Sequence, residues 1–68
     1  MMFDDLPASE INHLICEWVR SERDRKILGR RLIDGITYDR LAEEFDMSVR
    51  QIKYIVYKQE NRIFKHLH

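Results

Sequence analysis

Apolar side chains recur along this chain at helical rather than strand spacing. Ile11, Leu14, Ile15 and Trp18 fall three and four residues apart, which gathers them on one helix face. Pro7 suits the first turn of that helix, where the N–H it lacks would have no partner anyway. The first helix is therefore expected over 7–20. Ser21 followed by Asp24 resembles a capping box with the shorter acid in place of Glu, and it opens a second helix over 21–34. The apolar positions there are Ile27, Leu28, Leu32 and Ile33, and Gly35 ends it as glycine does past a helix C-terminus.

The second half of the chain carries the sharper pattern. Thr37 can cap a short helix over 38–45 through its side-chain oxygen, with Leu41, Ala42 and Phe45 facing inward. Ser48 can cap a long helix from Val49 to about residue 66, with Ile52, Ile55, Val56, Ile63 and Leu67 on its apolar face. Ala42 is small where a crossing helix needs close approach. Phe45 and Met47 bracket a turn whose middle residue, Asp46, must enter the left-handed region that aspartate tolerates better than most. This is the positional grammar of a helix-turn-helix, which presents its second helix to a major groove. The fold class expected is a small all-α domain of three to four helices, with the helix-turn-helix and its extended last helix over 37–66.

Composition narrows the reading. Sixty-eight residues hold one domain with a barely sufficient core. The single cysteine, Cys16, forbids an internal disulfide, fits a reducing cytoplasm, and is expected as a small buried hydrophobe. No apolar run is long enough to cross a membrane, and the first residues lack the pattern of a signal peptide. Twelve basic and twelve acidic side chains cancel, yet they are not mixed evenly. Residues 1–20 carry a net −3, and residues 49–68 a net +4. Positive charge therefore gathers on the long last helix.

The segment 21–65 resembles region four of bacterial sigma factors, the part that binds the −35 promoter element. The resemblance rests on 21–28 (SERDRKIL), 37–45 (TYDRLAEEF) and 47–53 (MSVRQIK), and it spans about two-thirds of the chain. The small sigma-like helix-turn-helix proteins of Firmicutes and their phages are similar too. What the resemblance implies is DNA binding in transcription regulation. The family's arginine–glutamate pair after the capping residue is replaced by Val49 and Arg50, and a base-reading glutamine by Tyr54. Its −35 preference therefore does not carry over, and the chain holds no counterpart of the regions that melt a promoter.

Chemically, Arg50 can bond bidentately to guanine and Gln51 to adenine. Lys53 and Lys58 suit phosphates, as do Thr37 and Tyr38 where the third helix meets the backbone. Ser48 and Val49 stand at the entry of the reading helix, and Tyr54 and Tyr57 either join the outward face or pack against the first helix. Two units on neighbouring half-sites raise affinity. The surplus of Ile11, Leu14, Ile15 and Trp18, with Ile63 and Phe64, is expected to offer a homodimer seam after part of it covers the end of the last helix. His13, Cys16, His66 and His68 do not make a convincing zinc set, so no metal or cofactor is expected. The chain lacks a nucleophile elbow, a phosphate-cradling glycine loop and an acid–base pair, and reads as a non-enzyme without a small-molecule substrate. The competing reading is an adaptor that binds RNA polymerase or another protein through its acidic first half.

Overall fold

Side-chain caps and two left-handed turns set the helix boundaries. A computed structural model describes residues 6–67, with the backbone alone at Leu67; His68 and the acidic Asp4 and Asp5 lie outside the described residues. Helix α1 spans Ala8–Trp18. Pro7 stands at the N-cap, with its carbonyl accepting from Glu10 and Ile11, one residue before the position expected for it. The helix also stops two residues early. Val19 turns extended and drops its side chain fully into the core, while its N–H still bonds Ile15 at 2.9 Å. The Arg25 guanidinium of the next helix donates to the Val19 and Cys16 carbonyls, satisfying acceptors that the end of α1 leaves open.

Helix α2 spans Glu22–Leu32 and is capped by Ser21, whose oxygen accepts from the Asp24 N–H at 3.3 Å. Only this half of the expected box forms, because the Asp24 carboxylate turns inward to other donors. Gly35, at φ +71°, reverses the chain three residues past the helix, and Ile36 reaches back to the Arg30 carbonyl. Helix α3 spans Tyr38–Glu44 and is capped by Thr37. Asp46 takes φ +54°, the left-handed conformation expected of it. Its N–H reaches Glu43 at 3.4 Å and that of Met47 reaches Ala42 at 2.9 Å, the paired bonds of a Schellman turn. Helix α4 spans Val49–Leu67. Ser48 caps it, and the Gln51 side chain returns a bond to the Ser48 N–H at 2.9 Å, so this box is complete.

The core gathers Ile11, Leu14, Ile15 and Val19 with Ile27, Leu28, Leu41, Ile52, Ile55, Val56 and Ile63. Helices α2 and α4 each touch all three other helices, and α4 is the longest. At 19 residues it is about 28 Å long, close to the 32 Å longest dimension of the domain. Each fully buried Ile or Leu contributes about 1.5–3 kcal/mol relative to exposure.

This packing corrects two expectations. Ile11, Leu14, Ile15 and Ile63 are buried within the chain and present no seam to a second copy. Trp18 is half-buried under His66, the rings stacked at 3.8 Å, which leaves Phe64, at 38% exposure, as the most accessible of the six. An apolar stripe fixes that something covers it, and here α2 and the end of α4 are the cover. Cys16 is exposed rather than buried, because it falls on the side of α1 turned away from the core stripe. Among the described residues, no helix is long and apolar enough to cross a membrane.

Candidate nucleic-acid interface

The outward face of α4 is set by the residues that its core face leaves over. Ile52, Ile55, Val56, Gln59 and Ile63 turn inward, so Arg50, Lys53, Tyr54, Tyr57 and Lys58 form one exposed ridge. Tyr54 is 66% exposed and Tyr57 57%, which settles their direction: neither is buried against α1. No acidic residue interrupts the ridge.

Two flanks rise beside it. On one side a groove of about 440 Å³ separates the start of α2 from α4, and Arg23, Arg50, Tyr54 and Lys58 line it above Asp24 and Ile55. The Lys58 ammonium stands 5.8 Å from the Tyr54 ring centre. On the other side the half-buried Tyr38 is the hub. The Arg31 guanidinium lies 4.2 Å over its ring, Lys53 approaches to 5.6 Å, and Tyr57 meets it edge-on at 6.3 Å. Arg31 is also tied to the Ile36 carbonyl at 3.0 Å. Partial burial and then the hydrogen bond with Tyr57 push the Tyr38 hydroxyl above the ordinary tyrosine value, against the opposing pull of Arg31. The phenol is therefore neutral near pH 7, and to donate its O–H to another acceptor it must leave Tyr57.

Arg50, Lys53, Tyr54, Tyr57 and Lys58 thus share one face, with Thr37 and Ser48 exposed near its entry. Thr37 and Ser48 hold their oxygens on the Arg40 and Gln51 N–H groups, so each is first a cap. Val49 is half-buried beside the turn. Gln51 needs a correction. Its Oε1 closes the α4 capping box, so a bidentate adenine contact, which needs that oxygen as well as the amide N–H, requires the box to open. The spacing Ser48 to Gln51 was the readable signal. Arg23 and Arg31 were missed as members of the interface. Both belong to α2, and only the packing of α2 against α4 brings them to the ridge.

A second concavity, of about 720 Å³, opens where α1, α2 and α3 meet, lined among others by Lys26, Arg30, Ile33, Glu44 and Phe45 and by no residue of α4. There the hydrogen bond and charge of Glu44, at 3.0 Å, push the Arg30 pKa up. Among the described residues no group of three His, Cys, Asp or Glu side chains could hold a metal ion, and His68 lies outside them. No family model, curated protein or solved structure matches the chain.

Proposed function

We propose that this chain binds double-stranded DNA, as a small transcription regulator similar to sigma region four, with α4 laid in the major groove. The observation that carries the reading is the acid-free ridge of Arg50, Lys53, Tyr54, Tyr57 and Lys58 on a helix whose other face is the core. Rigid backing of this kind holds base-reading groups at fixed spacing. Arg50 at the entry of the helix is the guanine reader, and Tyr54 meets thymine methyls with its ring. Lys53, Lys58 and the Tyr38 hydroxyl contact phosphates on the groove walls. The neutral chain is compatible with this, since local field rather than total charge steers the polyanion.

The test is selection of duplexes from a random pool, followed by a salt series on the winner. Arg23, Lys53 and Lys58 together neutralise up to about three phosphates. The binding constant should then fall with a log–log slope of roughly −2.7, a loss of about 40-fold between 50 and 200 mM salt. The double variant Arg50→Ala with Lys53→Ala should flatten that slope by about one, through Lys53, and lose the selected sequence, through Arg50. Unchanged affinity in a folded double variant would refute the proposal. The adaptor reading draws on the concavity at α1, α2 and α3, where Ile33 and Phe45 offer apolar surface. Binding of RNA polymerase there would respond weakly to salt and would ignore the α4 substitutions.

A further inference from the structure

Asp24 is 6% exposed, and a buried carboxylate needs partners. It has two. Gln59 of α4 donates its Nε2 to Oδ2 at 3.0 Å, bridging residues far apart in sequence. Arg23 donates both Nε and Nη2 to Oδ1, each at 3.3 Å. Gln59 is itself buried, and its Oε1 has no hydrogen-bond partner.

Stability alone does not call for this arrangement. An apolar pair of similar volume would fill the same space without stranding a carbonyl oxygen or burying a charge. What the arrangement accomplishes is placement. With one edge of its guanidinium held on Asp24, Arg23 keeps the remaining N–H groups of the fork for another acceptor. Its side chain is 59% exposed, and it lines the groove shared with Arg50, Tyr54 and Lys58. A free arginine loses much side-chain freedom when it binds a phosphate, and one already tethered loses less. Because Gln59 sits on the same helix as the ridge, it ties the position of Arg23 to that of the reading residues.

We propose that Asp24 and Gln59 are positioning residues that hold Arg23 as a phosphate-binding group beside the α4 ridge. This rests on the duplex-binding reading above. The Asp24→Asn variant separates placement from charge. The asparagine keeps the volume and can pair with the Gln59 amide, but it offers Arg23 at most a neutral oxygen in place of the carboxylate, so the tether weakens. It also makes the protein one unit more positive, so simple electrostatics predicts tighter DNA binding.

The experiment measures affinity for the selected duplex in Arg23→Gln, Asp24→Asn and the double variant, each checked by thermal melting. Arg23→Gln should weaken binding about five- to tenfold and flatten the salt slope by about one. Asp24→Asn should also weaken it several-fold despite its added charge, and the double variant should bind no worse than Arg23→Gln alone. Affinity of Asp24→Asn equal to or above that of the parent overturns the proposal, as does an additive loss in the double variant. Should Asp24→Asn fail to fold, Gln59→Met changes no charge and should give the same loss, while undiminished binding overturns the proposal. In the free protein, the Arg23 Nε–H should exchange with solvent more slowly than in Gln59→Met; equal rates count against the tether. Failure of the parent protein to bind any duplex removes the DNA reading and this proposal together. Duplex binding that depends on Arg50 and Lys53 but not on Asp24 and Gln59 removes the tether only.

Discussion

The turn between α3 and α4 holds Asp46 at φ +54°, so substitutions there test whether the turn that leads into α4 is left-handed. In that region the Cβ of an L-residue crowds the following carbonyl at a cost of about 1–2 kcal/mol, which glycine avoids. Glycine also makes the unfolded chain more flexible, which returns about 0.4–1 kcal/mol of the gain. The balance puts Asp46→Gly above Asp46→Ala by about 0.5–1 kcal/mol, or roughly 2–8 °C in melting temperature for a domain of this size. The parent should fall between them, since the short aspartate side chain eases the conformation by local hydrogen bonding. A β-branched residue adds further crowding, so Asp46→Val should be the least stable of the set. A chain of 68 residues has on the order of 3–10 kcal/mol in total, so these differences are readable. Melts followed by helical circular dichroism, with urea midpoints at constant slope, give the order. If alanine proves as stable as glycine, the turn described above is not left-handed in solution.

Other substitutions probe other links. Ser48→Ala should cost about 1 kcal/mol by urea denaturation, and Gln51→Ala added to it should cost less than on its own, because the two bonds of the α4 cap are reciprocal. Ile63→Ala should cost about 2–5 kcal/mol and Ile63→Val about 0.5–1.5, since the side chain is fully buried near the end of α4; a loss near zero for alanine would mean that those last turns are undocked. Burial pushes the Glu60 carboxyl above the ordinary glutamate value, with Arg31 opposing, so the folded chain holds that proton more tightly than the unfolded one. Stability from this group is therefore lost as pH rises through the raised value. Glu60→Gln should melt above the parent at about pH 7, and the gap should close near pH 4.

What was legible in the sequence was mostly local. The caps at Ser21, Thr37 and Ser48 and the left-handed Asp46 depend on a few neighbouring residues, and all stand where spacing and residue type put them. The outward ridge of α4 was legible too, because it is the complement of an apolar stripe. Contacts between distant segments were not. Asp24 and Gln59 are polar residues at buried positions, and their pairing needs α2 and α4 to be packed before it has meaning. The same holds for Arg23 and Arg31 at the interface. Val19 escaped because it leaves the helical period at the moment it enters the core. The stripe of α1 was read correctly as covered, but periodicity cannot say whether the cover is the same chain or another.

Two sets of instructions are interleaved on α4. Ile52, Ile55, Val56, Gln59 and Ile63 hold the domain together, and Arg50, Lys53, Tyr54, Tyr57 and Lys58 face outward. The sets share no residue, so the outward one can drift to new partners by point substitution while the fold stays put. Insertions and deletions are another matter. Each residue added within the helix rotates everything beyond it by about 100°, which carries core positions into solvent and ridge positions into the core. A lineage of such domains should therefore diversify freely by replacement on this helix, yet keep the number of residues between Ser48 and Ile63 constant.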